Sequence, residues 1–291
     1  MTVKESKGEQ LFNVFNVVLL MLLGIITLYP LYYVLIVSVS QSAAVSRGEV
    51  AIIPIGLNLN SYKLIIKDPN FLRSFFNTTK YTFVGTLVNL FMSAICAYPL
   101  SIRTFSGRKV FTAIIVFTMF FSGGLVPTYL VVKSLGMIDT IWAIALPTAI
   151  STWNMIIIRT SFQNIPDSLR ESCYIDGAND IVIFLKIILP LSRPVLAVMT
   201  LFYATGHWNS FFPELIYLSK KSMFPLQLIL RNMLISNQFS ELYGDILQTS
   251  NVLPTTLNYA AIIVSTIPIL LVYPFVQRYF VKGVMIGSLK G

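Results

Sequence analysis

The sequence E-S-C-Y-I-D-G-A-N-D-I-V-I-F-L-K-I-I-L-P, residues 171–190, is a polar stretch in a chain that is otherwise strongly apolar. Just before it, Pro166 precedes Ser168 and Glu171, whose S-x-x-E spacing predicts a capping box at the start of a short helix. Gly177 stands where a left-handed residue would end that helix. The stretch predicts two short helices joined at a glycine or, on composition alone, a connector of no special role.

The second short helix is predicted to begin at Asn179 or Asp180, because either side chain can cap a helix N-terminus. Pro190 is predicted to end it. Four apolar residues of this helix share one face, which we expect to pack against the membrane segments: Ile181, Phe184, Leu185 and Ile188. The first helix is expected to expose three residues at helical spacing: Leu169, Cys173 and Tyr174.

The composition excludes an ordinary soluble fold. Of the 291 residues, 55% are hydrophobic and 11% are charged, whereas soluble domains carry about 25% charged residues. A soluble fold of this length could not bury so much apolar surface, so lipid must solvate much of it. The net charge of +9 suits anionic lipid headgroups. The basic residues are scattered rather than clustered, so nucleic acid is not an expected partner.

Six stretches of the chain carry no Asp, Glu, Lys or Arg and are long enough for a spanning helix, which needs about 20 apolar residues. They lie between Glu9 and Arg47, Lys80 and Arg103, Lys109 and Lys133, Asp139 and Arg159, Arg193 and Glu214, and Asp245 and Arg278. The sequence therefore predicts an all-α integral membrane protein with six transmembrane helices. This membrane domain would occupy residues 11–280, after an N-terminal segment 1–10 and before a tail 281–291.

The six spans are predicted at about 11–39, 77–101, 110–132, 140–160, 194–217 and 257–280. An amphipathic surface helix is expected at 60–76. Ser122–Pro127 should loosen the third span, and Pro194 should lie in the first turn of the fifth. Six spans place both termini on one side, where twelve of the basic residues would lie against nine on the other. The positive-inside rule therefore favours cytoplasmic termini.

The polar stretch also resembles a known signature. Glu171, Gly177, Ile187, Leu189 and Pro190 form E-x5-G-x9-I-x-L-P, which resembles the EAA signature of ABC importer permeases, and the D-G-A at 176–178 strengthens the match. Ser172 and Cys173 replace the two alanines that name the motif, and both are small.

The rest of the chain, from about residue 10, resembles the MalG/LplC-like branch of carbohydrate permeases. The segments that carry this resemblance are P-T-Y-L-V-V-K-S-L-G-M-I-D-T at 127–140, W-N-S-F-F at 208–212 and V-K-G-V-M-I-G-S-L-K-G at 281–291. The resemblance implies a type I ABC importer permease.

This resemblance implies that residues 163–190 form a cytoplasmic coupling loop, whose first short helix sits in a cleft of an ATPase subunit. Glu171 would approach a basic residue there, Gly177 would allow the tight turn, and the I-x-L-P residues would anchor the loop to the fifth span. The residues to which a coupling role is carried over are Glu171, Ser172, Cys173, Asp176, Gly177, Ala178, Ile187, Leu189 and Pro190.

The resemblance also implies a set of partners. They are a second, MalF/LplB-like permease subunit, two cytoplasmic ATPase subunits, and an extracellular or periplasmic solute-binding protein that would contact the loop 218–256. The chain would lie in the bacterial cytoplasmic membrane with both termini in the cytoplasm, and Met285–Gly291 would reach the ATPase dimer interface.

Enzymatic chemistry is not expected in this chain. The sequence has no G-x4-G-K-[ST] phosphate loop, so ATP and Mg²⁺ are expected in the partner subunits and no cofactor in this one. With one histidine and no carboxylate cluster, a metal site is not expected.

A possible substrate path is His207, Trp208 and Asn209, with the alternative that these residues are an interfacial aromatic and polar neighbours packed between helices. Asn89 and Asn154 are expected to hydrogen-bond between helices. Glu214 is expected to be interfacial.

The function predicted from the residues and the resemblance is import of oligosaccharides, driven by ATP hydrolysis in partner subunits and linked to alternating access of the sugar path. The resemblance, rather than the charge of the chain, implies acidic oligosaccharides such as alginate or pectin fragments as substrates. An ion-coupled secondary sugar transporter is the main alternative, although such a protein would need charges inside its spans. A non-transporting membrane scaffold is a third possibility.

Overall fold

The structure is a computed structural model that describes residues 6–235 and 252–288, and every regular element within those ranges is helical. The all-α fold expected from the sequence is therefore confirmed for the described part of the chain. The chain divides into two compact units, formed by residues 1–69 with 230–266 and by residues 70–229 with 267–291.

In the first unit, helix α1 (Lys7–Ser38) carries its apolar side chains outward. It begins at a capping box, in which the Glu9 N–H donates to Ser6 Oγ at 3.3 Å and the Ser6 N–H to Glu9 Oε2 at 2.6 Å. Leu11 and Ile25 are representative of its long exposed apolar surface. Its 32 residues extend about 48 Å, so the helix is long enough to cross a hydrocarbon core of about 30 Å. Lipid can cover the apolar side chains of the part that crosses the core.

The rest of the first unit includes α2 (Ser42–Ser46), α3 (Asn60–Lys67) and the first part of α15 (Pro254–Ser288). The C-terminal end of α1 packs there on α2 through Ile36, Val37 and Ala44. The predicted amphipathic helix ends at Lys67 rather than at residue 76, because Asp68 precedes Pro69 and is extended (ψ 113°). A proline disfavours the helical conformation of the residue before it.

The second unit contains the remaining helices. They are α4 (Pro69–Ser101), α5 (Arg108–Phe120), α6 (Leu125–Ser134), α7 (Trp142–Ala145), α8 (Thr152–Gln163), α9 (Asp167–Ile175), α10 (Asp180–Ile183), a π-helical turn (Phe184–Ile188), α11 (Leu189–Leu191), α12 (Arg193–Trp208), α13 (Phe212–Tyr217), a 3-10 turn (Lys221–Met223) and α14 (Leu226–Ile235), whose residues from Leu230 onward belong to the first unit. Its main core joins α4, α8 and α12 with the segment 183–188.

Three helices in the described ranges are long and apolar enough to cross a membrane: Lys7–Ser38, Pro69–Ser101 and Pro254–Val272. Two bent pairs raise the number to five if each pair is one span. They are Arg108–Phe120 with Leu125–Ser134, bent by 114°, and Asp180–Leu191 with Arg193–Trp208, bent by 80°. The count of six spans stays a prediction.

Two predicted spans differ from the structure. The fourth, at about 140–160, is not one helix, because α7 ends at Ala145 and α8 begins at Thr152. Pro147 lies in the break and has no N–H to donate, and the Ser151 hydroxyl caps the new helix by accepting from the Asn154 N–H. The fifth ends as a helix at Trp208, short of Tyr217, although Pro194 is in its first turn as predicted.

The predicted loosening of the third span is confirmed. Helix α5 ends at Phe120 and α6 begins at Leu125, after Gly124 with a φ of +88°. A left-handed residue of this kind is inexpensive for glycine. The predicted C-terminal tail 281–291 is helical in backbone as far as Ser288, and residues 289–291 lie outside the described residues.

Candidate functional site

The first helix of the predicted coupling loop, α9, begins without the capping box. Pro166 is the N-cap residue, with a ψ of 135° and no side-chain cap hydrogen bond. Asp167 is therefore already helical, and Ser168 lies inside the first turn, where its side chain cannot cap the helix. The predicted box between Ser168 and Glu171 is wrong because the proline starts the helix one residue too early.

The glycine turn after α9 is confirmed. Gly177 has a φ of +80°, and its N–H donates to Tyr174 O at 3.0 Å, while the Ala178 N–H donates to Cys173 O at 2.9 Å. These two bonds form a Schellman motif, which satisfies the last carbonyl groups of a helix. Of the two predicted caps, Asn179 and Asp180, it is Asn179 that caps α10, because its side-chain oxygen accepts from the Val182 N–H at 2.9 Å.

Arg170 holds the inner face of α9 to the rest of the second unit. Its side chain is buried and Nη2 donates to Ser101 Oγ and to Phe162 O, both at 3.1 Å. Its guanidinium also lies 5.8 Å from the centre of the Tyr98 ring. Arg170 thus ties α9 to the ends of α4 and α8. This anchoring role of Arg170 was not predicted from the sequence.

A second contact crosses the glycine turn and fixes the angle between α9 and α10. The Tyr174 hydroxyl donates to Asp180 Oδ1 at 2.6 Å, and the Tyr98 hydroxyl reaches the same oxygen at 3.4 Å. The hydrogen bond to the carboxylate raises the pKa of Tyr174. Asp180 therefore serves as a shared acceptor rather than as the helix cap.

The outer face of α9 carries side chains at positions i, i+3, i+4 and i+7: Ser168, Glu171, Ser172 and Ile175. Ile175 is 87% exposed, a large fraction for an isoleucine, and its exposure was not predicted from the sequence. The spacing of four residues from Glu171 places both side chains on one helix face and could have indicated it. Of the three residues predicted to be exposed, Leu169 and Tyr174 are, whereas Cys173 packs against the core.

The second segment of the loop has a different buried face from the one predicted. Ile188 is buried and Phe184 half-buried as expected, but Ile181 and Leu185 are exposed and Ile183 is buried instead. A π-helical turn explains the change, because it places residues i and i+5, here 183 and 188, on one side.

Pro190 does not end the helix. Residues 180–191 form one helical run, and the chain bends by 80° before α12. The Leu189 N–H donates to Phe184 O in the wider π pattern, next to a proline that cannot donate at all. Ile187, Leu189 and Pro190 are half-buried, and Leu189 packs against the core, as an anchor would.

The structure does not bring the three possible substrate-path residues together. His207 lines a cavity of about 290 Å³ with Asn154 and Ser210, whereas Trp208 lines a separate apolar cavity of about 350 Å³. Trp208 packs edge to face on Phe75, with ring centres 5.7 Å apart. Asn209 is exposed beyond the helix end. Consecutive helical residues point about 100° apart, which separates His207 from Trp208.

His207 is held by polar contacts between helices. Its Nε2 hydrogen-bonds Asn89 Oδ1, and Asn89 Nδ2 donates to Thr148 O. The expected interhelical role of Asn89 is therefore confirmed. Glu214, which was expected to be interfacial, is buried, and it accepts from Ser210 Oγ at 2.9 Å.

The model of a known protein family matches most of the chain. The family is described as the binding-protein-dependent transport system inner membrane component, and it matches residues 72–286. The chain belongs to this family. It is therefore a membrane-integral permease of an ABC transport system, as its resemblance to that class predicted.

Individual relatives of this permease are similar over nearly the whole chain. Protein LplC of Bacillus subtilis is 42% identical over all of this chain and 98% of LplC. The polygalacturonan/rhamnogalacturonan transport system permease protein YtcP of the same organism is 42% identical over 92% of this chain and 94% of YtcP. A chain in a crystal structure of a bacterial ABC transporter involved in import of the acidic polysaccharide alginate has 35% identity and a TM-score of 0.91, covering 96% of this chain and all of that one.

Replacing Arg170 by glutamine should weaken the attachment of α9. The variant loses the bonds to Ser101 and Phe162 and leaves buried polar groups unpaired, so we expect the permease to lose about 1–3 kcal/mol of stability. Thermal unfolding in detergent and limited proteolysis within residues 163–190 measure the effect. Arg193→Gln is the matched control, because Arg193 is exposed. Equal unfolding temperatures for the two variants would contradict the anchoring role.

Replacing Gly85 by alanine should destabilise the contact between α4 and α12. A Cβ at Gly85 would lie 2.5 Å from His207 Nε2, and Asn89 holds that ring in place. We expect a loss of about 1–3 kcal/mol from overpacking. Gly206→Ala, where a Cβ would meet open space, should instead change stability by at most about 1 kcal/mol in the favourable direction. Thermal unfolding of both variants checks the difference.

Proposed function

We propose that this permease imports oligosaccharides and that α9 is the element through which ATP hydrolysis in partner subunits drives the transport cycle. The observation that carries the proposal is the contrast between the two faces of α9. The inner face is fixed by the buried Arg170, and the outer face presents Glu171 beside the exposed Ile175.

A helix of this kind suits transmission of force. Its outer face offers one charge and one large apolar side chain, a pairing that a protein cleft can recognise by burial and by a charge-assisted hydrogen bond. The Arg170 bonds connect that helix directly to the ends of α4 and α8. A displacement of α9 by a partner would therefore be passed to both helices.

The exposed apolar surface extends beyond α9. Leu169, Tyr174, Ile181 and Leu185 are each at least two-fifths exposed, and they lie on the helical segments before and after the glycine turn. Solvated apolar side chains grouped in this way mark interaction sites. They support docking of the whole loop, residues 163–190, into a cytoplasmic ATPase subunit.

Acidic oligosaccharides are the proposed substrates. The support is that YtcP is named for transport of polygalacturonan and rhamnogalacturonan, which contain galacturonate, and that the similar crystal structure is of a transporter involved in import of the acidic polysaccharide alginate. The cavity beside His207, lined by Asn154, Ser151 and Ser210, supplies hydroxyl and amide groups of the kind that hydrogen-bond sugars. It would form part of the sugar path together with the second permease subunit.

The proposed assembly contains this permease, a related second permease, two ATPase subunits that bind ATP and Mg²⁺, and a solute-binding protein outside the membrane. Both termini of this chain would lie in the cytoplasm, on the side of α9. The proposed contact with the solute-binding protein is the segment 218–256, of which residues 236–251 lie outside the described residues.

Two substitutions in the loop should uncouple the assembled transporter. Glu171→Ala removes the charge from the outer face, and Gly177→Pro cannot keep the φ of +80°, since proline is fixed near −65°. We expect substrate-stimulated ATPase activity to fall at least about tenfold in each, while membrane insertion is unchanged. Glu49→Ala, which removes a carboxylate far from α9 in sequence, should leave activity intact.

Uptake and ATPase assays on the reconstituted transporter make this measurement. Normal stimulated activity in both loop variants would contradict the coupling role of α9. ATP-independent uptake by this chain alone in liposomes would instead favour the ion-coupled alternative.

The substrate class is tested separately. We expect alginate or pectin oligosaccharides, added with the solute-binding protein, to stimulate the ATPase activity of the wild-type transporter more strongly than neutral oligosaccharides of equal length. Asn154→Leu should reduce uptake of acidic oligosaccharides without changing basal ATPase activity. Stronger stimulation by neutral sugars would contradict the proposed substrate class.

A further inference from the structure

A large basic pocket lies next to the base of the coupling loop and has no role in the function proposed above. Its volume is about 800 Å³. Four cationic residues from the loop between α4 and α5, from α5 itself and from α8 line it: Arg103, Arg108, Lys109 and Arg159. We propose that this pocket binds the phosphate headgroup of an anionic phospholipid.

The charge in the pocket is poorly balanced. No carboxylate is among the described residues that line it, although Asp167 approaches Arg103 from outside at 3.7 Å. Arg108 and Arg159 are both half-buried and line the same pocket. Placing like charges together in a partly desolvated site costs free energy, and a bound anion would remove that cost.

The guanidinium groups share one neutral acceptor. With its amide oxygen turned toward them, Gln163 accepts from Arg108 Nη2 at 2.6 Å and from Arg159 Nε at 3.1 Å. Each guanidinium has five N–H donors, so most remain available to a ligand. In that orientation Gln163 brings the two guanidinium groups to one side chain, where phosphate oxygens can accept from both.

A second observation indicates a ligand with oxygen or hydroxyl groups. Thr112 lines the pocket, and its buried hydroxyl has no hydrogen-bond partner in the described part of the chain. Buried hydroxyl groups are almost always hydrogen-bonded. A headgroup oxygen in the pocket would supply the missing partner.

The apolar half of the pocket distinguishes a lipid from a free anion. Phe105, Ala113 and Val116 complete the lining, and α5 continues from there with exposed apolar side chains such as Ile114 and Phe117. Basic pockets between membrane helices bind anionic headgroups, and acyl chains can follow the apolar helix surface. A free phosphate ion would gain no favourable contact with these apolar side chains.

Lipid titration of the full chain in detergent tests the proposal. The probes are dioleoyl phosphatidylglycerol and dioleoyl phosphatidylcholine, with bound lipid counted by native mass spectrometry and stability followed by thermal unfolding. We expect the wild-type chain to bind phosphatidylglycerol preferentially and to unfold at a higher temperature with it than with phosphatidylcholine. Equal binding of the two lipids would overturn the proposal.

Variants locate the site. Arg108→Gln with Arg159→Gln should weaken phosphatidylglycerol binding at least about tenfold, whereas Lys220→Gln with Lys221→Gln removes two exposed charges elsewhere and should leave binding unchanged. Equal losses in both double variants would mean nonspecific attraction and would contradict a defined site. If the arginine variant does not fold, Thr112→Val and Lys109→Gln give the same comparison one contact at a time.

Two further measurements distinguish a bound lipid from a free anion and from an acidic protein surface. Millimolar inorganic phosphate should not displace phosphatidylglycerol, and displacement would show an ion site instead. Loss of ATPase-subunit binding in the arginine variant, without a phosphatidylglycerol preference in the wild-type chain, would assign the pocket to an acidic protein surface and overturn the lipid proposal.

Discussion

The buried guanidinium of Arg170 is the interaction on which the geometry of the loop depends. It bonds the side chain at the end of α4 and a carbonyl at the end of α8, so one residue fixes α9 against two helices. A charge at this depth needs paired donors, and Nη2 makes two of these bonds while Nη1 lies 3.7 Å from Asp167 Oδ1, although the buried Nε has no partner in the described part of the chain. The cost of breaking those pairs keeps α9 from moving independently of the helices beneath it.

The neighbouring turn adds a second constraint. The Schellman bonds around Gly177 end α9, and the bond from Tyr174 to Asp180 ties it to the next segment. That segment passes through a π-helical turn, which buries Ile183 and Ile188 together. The loop is thus a short rigid body whose inner side belongs to the core and whose outer side, with Glu171 and Ile175, is open to a partner.

The coupling loop and the basic pocket next to its base present two different kinds of binding surface. The exposed face of α9 suits a protein cleft, while the basic pocket around Arg108 and Arg159 has the polar and apolar halves of a phospholipid site. Asp167 connects the two regions, because it lies 3.7 Å from both Arg103 and Arg170. Occupation of the pocket by an anionic lipid would therefore act close to the base of the coupling element.

The sequence by itself determined the features that depend on near neighbours. The charge-free lengths established the membrane class, and the Gly177 turn, the Asn179 cap and the break near Gly124 followed from local conformational preference. Tertiary structure decided which faces are buried. The S-x-x-E pattern forms a capping box at Ser6 but not at Ser168, where a preceding proline shifts the helix start. The anchoring by Arg170 and the separation of His207 from Trp208 required the packing of α4, α8 and α12, because burial is set by contacts between residues far apart in the chain.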